Sequence, residues 1–239
     1  MTATLLHRDT EDGGDGTSSR IPHRGLILTV LAVVVVGAVL TWLIAFSSVF
    51  GVGAVEVRGT KVLTGAQVRT AAHVTMNTPL VRLDTDAIRR RVEALPDVAS
   101  AEVSTSFPST VTITVVERVA IGVLRTSSGY TLVDATGAQF RPVTARPVHL
   151  PLFEVPAGAR GTGGAVATVA AALPPGVRAR IASVQAIDPT AITLVLQNGR
   201  TVAWGSAARS TDKARVLPTL LGQPGDHFDV SNPDQPFVR

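Results

Sequence analysis

Side chains suited to catalysis are sparse in this chain. Cysteine is absent and histidine occurs five times in 239 residues. A protein metal site needs clustered His, Cys or carboxylate ligands. His73, His149 and His227 lie far apart, and none has a companion at ligand spacing. Asp84-Thr85-Asp86 brings two carboxylates together, but the glycine and the later glutamate of a calcium loop do not follow. That triplet reads as a helix N-cap. No phosphate loop, nucleophile elbow or dinucleotide fingerprint is present. A Ser/Lys hydrolase would need a buried lysine beside a serine. The two lysines, Lys61 and Lys213, both sit in polar contexts. The expectation is therefore no catalytic residues, no metal, no cofactor and no small-molecule substrate.

Charge comes next. Arg89-Arg90-Arg91 is the densest basic run. It reads first as a solvated helix face, with Arg89 four residues before Glu93 and able to pair with it. The second reading is contact with anionic lipid heads or an acidic partner. Residues 47–239 carry 19 Lys+Arg against 14 Asp+Glu, a surplus too dilute for a nucleic-acid groove.

Something must hold this chemistry-poor chain in place. Residues 25–55 contain no Asp, Glu, Lys or Arg, and 14 of the 21 residues from Leu26 to Phe46 are Leu, Ile, Val or Phe. As a helix, 21 residues span about 31 Å, close to the bilayer's hydrocarbon core. At about −0.4 kcal/mol for each large apolar residue, insertion is favoured by several kcal/mol. Leu26, Trp42 and Phe46 are the expected anchor residues, with Trp42 near the outer interface. Ala45-Phe46-Ser47 would also pass as a cleavage site, so a removed leader is the alternative. Arg20, His23 and Arg24 abut one end of the span, and Arg58 is the first basic residue past the other. Basic residues stay inside, so the N-terminus is expected in the cytoplasm and the remainder outside. The absence of cysteine fits an extracytoplasmic setting. Residues 1–24 read as a disordered tail and 25–49 as the transmembrane segment.

Residues 50–118 show a β-α-α-β-β order. Val55-Glu56-Val57-Arg58 alternates and stops at Gly59. Thr64-Gly65-Ala66-Gln67 matches a capping box for a helix to about Ala72. Asp84 and Thr85 begin a second helix with Ile88, Val92 and Leu95 on one face, ended by Pro96. Val98–Ser104 and Thr110–Val116 form a hairpin in which Val111, Ile113 and Val115 face one way.

Residues 119–239 read as mostly β with one or two helices. Val119–Arg125 pairs with Tyr130–Val133, and Asp134 with Gly137 makes a turn. A helix carries Val166, Val169, Ala170 and Leu173 and is stopped by Pro174-Pro175. Ile181–Ile187 is a strand. Ile192–Gln197 and Arg200–Trp204 flank Asn198-Gly199, a type I′ hairpin signal. A helix bearing Lys213, Val216, Leu217, Leu220 and Leu221 must kink or split at Pro218. The fold class is α+β.

The first unit resembles a POTRA domain, and the likeness extends to the FtsQ/DivIB family of bacterial cell-division proteins. The residues that carry it are Phe50, Val55-Glu56-Val57-Arg58-Gly59, Leu83-Asp84, Leu95-Pro96-Asp97-Val98, Ala101-Glu102-Val103, Phe107 through Ile113 and Glu117-Arg118. Farther on come Val133-Asp134 with Gly137 and Phe140, Leu150-Pro151-Leu152 and Phe228-Asp229-Val230-Ser231. Ser104, Thr105, Ser106 and Phe107 replace the basic residues and tryptophan usual in the family's hairpin. The resemblance implies a non-enzymatic, single-span scaffold at the division septum. It implies that FtsB- and FtsL-like division proteins dock on the C-terminal part of the β domain, at Phe228, Asp229, Val230 and Ser231. A terminal strand often lies at a sheet edge and can accept a partner's strand. The competing reading of those residues is a buried structural strand. The other functional classes are a POTRA-bearing secretion or envelope-assembly component and an anchored cell-wall enzyme.

Overall fold

The computed structural model describes residues 23–46, 50–156 and 161–239. Residues 1–22 of the tail expected over 1–24 and the possible cleavage position at Ser47 lie outside the described residues, and His23 and Arg24 begin a helix. Helix α1 (His23–Phe46) is 24 residues long, and its described side chains, at 27–39 and 41–42, are all exposed. Among the described residues no helix is long and apolar enough to cross a membrane.

The first unit follows from its apolar spacing. It contains β1 (Ala54–Arg58), α2 (Gly65–Ala72), a 3-10 turn at Leu80–Arg82, α3 (Thr85–Glu93), β2 (Val98–Ser106) and β3 (Thr110–Glu117). Thr64 and Gln67 form the reciprocal cap of α2, and the Asp84 carboxylate caps α3 by accepting from Ala87 N–H at 2.8 Å. The sheet order is β1-β3-β2, with β1 parallel and β2 antiparallel to the central β3. Val111, Ile113 and Val115 point into the core against Val68, Ile88 and Val92.

The second unit holds, among the described residues, one nine-stranded sheet. In chain order its strands are β4 (Gly122–Thr126), β5 (Gly129–Val133), β6 (Gln139–Val143), β7 (Leu152–Glu154), β8 (Ile181–Ala186), β9 (Ile192–Leu196), β10 (Thr201–Gly205), β11 (His227–Asp229) and β12 (Phe237–Val238). Across the sheet they run β12-β11-β10-β9-β8-β7-β4-β5-β6. Helices α4 (Thr162–Ala172), α5 (Pro175–Arg178) and α6 (Ser210–Leu221) complete it. Val166, Val169, Leu217 and Leu220 pack on Leu194, Trp204 and Phe228 to form the main core. Val123, Leu132, Phe140 and Leu152 make a smaller cluster.

Three local expectations are corrected. Pro174-Pro175 does more than stop α4: Pro175 takes the first position of α5, where a missing N–H costs nothing. That makes three helices among the described residues of this unit rather than one or two. Helix α6 is not split at Pro218, which lies exposed while Leu217, Leu220 and Leu221 hold the other face in the core. The β9–β10 hairpin is not a two-residue turn. Leu196 N–H donates to the Arg200 carbonyl, and the Leu196 carbonyl accepts from Gly199 N–H. The loop is thus three residues, 197–199, and Gly199 at φ +85° is its left-handed residue.

The two units are joined by a short, heavily bonded segment. Glu117 accepts from the N–H groups of Lys61, Val62 and Leu63 at 2.8–3.0 Å. Next to it, Arg118 donates to the Pro96 carbonyl and pairs with Asp134. Asp134 also accepts from Thr136 and Ala138 N–H. From the other side, Arg141 pairs with Asp97 at 2.6 Å. Burial pushes the Asp134 carboxyl up, but the bonds from Thr136, Arg118 and Ala138 outweigh it and hold it below the usual value. Glu117 behaves alike: burial raises it, and the N–H groups of Lys61, Leu63 and Val62 bring it lower on balance.

Both folded carboxyls are depressed, so their stabilisation is complete above the ordinary carboxylate range near pH 4 and is lost as pH falls through the lower folded values. Asp134→Ala should cost about 3 kcal/mol at neutral pH, because it leaves Arg118 half-buried and unpaired. Acid unfolding followed by circular dichroism should lose part of its steepness in that variant; an unchanged acid limb would reject the assignment. Gly199→Ala should cost about 1 kcal/mol for its left-handed backbone, and Asn198→Ala clearly less. Equal costs in thermal melts would restore the two-residue turn.

Candidate functional site

Phe228 and Val230 do not lie on an open edge. Phe228 is 2% exposed and Val230 0%. Strand β11 runs between β10, parallel to it, and β12, antiparallel to it. The Arg200 guanidinium stacks on the Phe228 ring at 4.3 Å and donates to the Leu221, Gln223 and Gly225 carbonyls. Val230 N–H donates to the Ala203 carbonyl. Asp229 accepts from Ser231 N–H at 2.8 Å and from its hydroxyl at 2.6 Å, closing a turn. Phe228 and Val230 thus belong to the core, and the free edge lies one strand farther out, at β12.

β12 is held by the pairing of Phe228 with Val238 and of Asp229 with Phe237. His227 and Arg239 exchange both backbone bonds. Antiparallel pairs alternate between bonded and non-bonded, so the N–H and C=O of Val238 face away from β11. Phe237 is 52% exposed. A groove of about 540 Å³ lies between α6 and this edge, lined by Val216, Leu220, Pro236, Phe237 and Val238 among others. Arg209 ties the approach to β12 in place with a two-pronged pair to Asp234 at 2.7 and 2.9 Å. At the far end of the sheet, edge strand β6 carries Pro142, which has no N–H to offer a newcomer. The sheet therefore has one blunted edge and one that can be extended. Sequence reasoning passed over Phe237 and Val238. The signal was Asn232-Pro233-Asp234-Gln235-Pro236, a run of turn formers that separates a last apolar pair from β11.

The arginine run is largely engaged. Arg89 pairs with Asp86 at 3.1 Å and with Glu93 at 3.2 Å, the second being the spacing expected on a helix. Arg91 donates to the Ala72 carbonyl, and Arg90 is exposed. Trp42 is exposed on α1; the side chains of Leu26 and Phe46 lie outside the described residues.

Lys213 needs correction. It is 2% exposed, not in a polar surface context, and Ser210 lies buried one turn before it. That is the residue pair a Ser/Lys hydrolase would use, and burial, with repulsion from Arg209, lowers the lysine pKa. The bonds point elsewhere. Lys213 Nζ donates to the Trp204 and Ser206 carbonyls, both at 2.9 Å. The Ser210 hydroxyl donates to the Ala207 carbonyl and accepts from the Trp204 indole N–H. No hydrogen bond joins serine to lysine, and both fasten α6 to the end of β10. The histidines stay apart; His227 Nδ1 lies 2.7 Å from the Thr201 hydroxyl. Among the described residues no group of His and acidic side chains could hold a metal.

Comparison with known proteins matches both units. Residues 50–118 match the model of the FtsQ-type POTRA domain, and residues 122–231 match that of the C-terminal region of cell division protein FtsQ/DivIB. The chain is 38% identical over 220 residues to cell division protein FtsQ of Mycolicibacterium smegmatis, covering 90% of this chain and 66% of that one. It is 37% identical over 232 residues to the protein of that name from Streptomyces bingchenggensis, covering 92% and 88%. The Mycobacterium tuberculosis protein is 36% identical over 220 residues, covering 90% and 70%. The chain thus spans about two thirds of the mycobacterial relatives' length and most of the Streptomyces relative's. With both units matched in order and relatives similar along nine tenths of its length, this chain belongs to the FtsQ/DivIB family of cell division proteins.

Proposed function

We propose that this protein is a non-enzymatic scaffold of the division apparatus, anchored in the cytoplasmic membrane by one helix and acting by binding other division proteins outside it. In this reading residues 1–24 are a cytoplasmic tail and 25–49 cross the bilayer. Residues 50–118 form the membrane-proximal unit, and 119–239 form the β unit that docks partners at the septum. FtsB- and FtsL-like single-span proteins are the partners that the family resemblance implies. The observation that carries the reading is the extendable β12 edge beside a groove that mixes Val216, Leu220 and Phe237 with Arg215, Thr219 and Gln223. A partner strand added there would bond Val238 through main-chain groups and set alternate side chains against Val216, Leu220 and Phe237. Each such bond contributes only about 1 kcal/mol net. Modest affinity suffices when all partners share one membrane surface, because confinement raises their effective concentration.

Val238→Pro tests this. Proline removes the outward N–H and no bond to β11. With about 1–2 kcal/mol lost, recovery of FtsB-like protein by the intact chain from solubilised membranes should fall roughly ten-fold. The thermal midpoint should hardly move. Equal recovery with an unchanged midpoint would remove the β12 edge as the docking place. Depletion of the protein should leave cells elongated and unseptated; normal septation would overturn the division role itself.

A further inference from the structure

Residues 50–53, which follow α1, are pinned between two loops of the first unit. Val52 N–H donates to the Thr78 carbonyl and its own carbonyl accepts from Asn77 N–H, both at 2.9 Å. Gly53 N–H donates to the Ser109 carbonyl at 2.7 Å. The Phe50 and Phe107 rings meet edge to face with centroids 6.0 Å apart. The fit is tight enough to demand glycine: a Cβ on Gly51 would stand 2.7 Å from the Asn77 carbonyl oxygen. Phe50 is four residue steps from Phe46, a reach of at most about 14 Å. Helix α1 also comes against the Leu80–Arg82 turn. The segments 74–81 and 104–109, the second being the end of β2 and its turn into β3, are therefore the part of the folded domain nearest the end of α1.

This end is chemically distinct. Residues 50–55, 74–81 and 103–116 contain no Asp, Glu, Lys or Arg, although 17% of the chain is charged. Three large apolar side chains nonetheless stand out beside α1: Met76 is 50% exposed, Val81 54% and Phe107 61%; a fourth within these residues, Val116 at 56%, lies at the opposite end of β3. Single exposed apolar residues, such as Val148 and Ile187 in the second unit, are ordinary. Three on adjoining segments beside an apolar helix, with the charged Arg82 only at their border, are not, because such a patch costs solubility unless something covers it. Seating a charged residue in a bilayer costs about 3 kcal/mol, whereas Phe and Val are favoured there. Ser104, Ser106 and Ser109 supply hydroxyls that suit the headgroup layer.

We propose that Met76, Val81 and Phe107 dip into the outer interface of the lipid bilayer, so that the first unit rests on the membrane rather than swinging above it. This rests on the reading of α1 as a membrane span. The surface would hold three points of a rigid domain, and so fix the height and direction at which the β12 edge is presented.

The absence of cysteine makes the test direct. The full chain carries one cysteine at a time, as Met76→Cys, Val81→Cys, Phe107→Cys, Val148→Cys or Val34→Cys, each labelled with an environment-sensitive fluorophore. It is reconstituted in phosphatidylethanolamine–phosphatidylglycerol vesicles with or without nitroxide-labelled lipid. Labels at 76, 81 and 107 should emit to the blue and be quenched by nitroxides at the interfacial depth of about 5–10 Å. The label at 148 should stay water-like. Quenching at 34 with water-like emission at 76, 81 and 107 would overturn the inference and leave the span intact. A blue shift at those three sites without lipid quenching would assign the patch to a second copy of the chain, and also overturn it. No quenching at 34 would overturn the span and the inference together.

Discussion

Two arginine–carboxylate pairs cross the joint between the sheets: Arg118 with Asp134, and Arg141 with Asp97. Each links the two units, and each sits where water is partly excluded. Such pairs contribute less to net stability than their number suggests, because desolvation offsets attraction. Their effect is geometric. Guanidinium and carboxylate meet in a narrow set of arrangements. With the Arg118 backbone and Nε also bonded to the Asp97 and Pro96 carbonyls, the second sheet has little freedom against the first. The docking proposed at β12 would benefit from that constraint, since a freely hinged edge would spend binding energy on being ordered.

The joint also explains why certain short motifs occur together. Glu117-Arg118 ends one strand and Asp134 through Gly137 makes a turn in the next unit, and nothing in their separate patterns connects them. In the fold they are one structure. Glu117 gathers the N–H groups of residues 61–63, Arg118 reaches Asp134, and Asp134 holds its own turn with Thr136 and Ala138. Buried polar side chains elsewhere are used in the same way. Lys213 and Ser210 fasten α6 to the end of β10 through carbonyl groups and the Trp204 indole.

The two ends of the large sheet differ for a physical reason. Open strand edges invite unwanted pairing, and proteins shorten, bend or block them. Proline in β6 blocks one end. At the other, β12 is reduced to two residues, short enough to limit indiscriminate pairing yet open at Val238.

Much of the architecture was readable in the chain because periodicity reports which side chains turn inward. Ile88 with Val92, and Val111 with Ile113 and Val115, marked the first core, and Thr64 with Gln67 marked a helix start. Those signals are local: they depend on residues within one turn or one strand. The sequence alone thus determined the α+β class, the order of the first unit, the apolar N-terminal stretch and the family. Tertiary structure alone decided that Phe228 and Val230 are covered, that β12 rather than β11 is the edge, that Lys213 is buried, and that segments 74–81 and 104–109 adjoin the end of α1. Those facts depend on which strand lies beside which. Neighbour order in a sheet is set by packing across the whole domain, and an alternating run reads the same whether its edges are paired or bare.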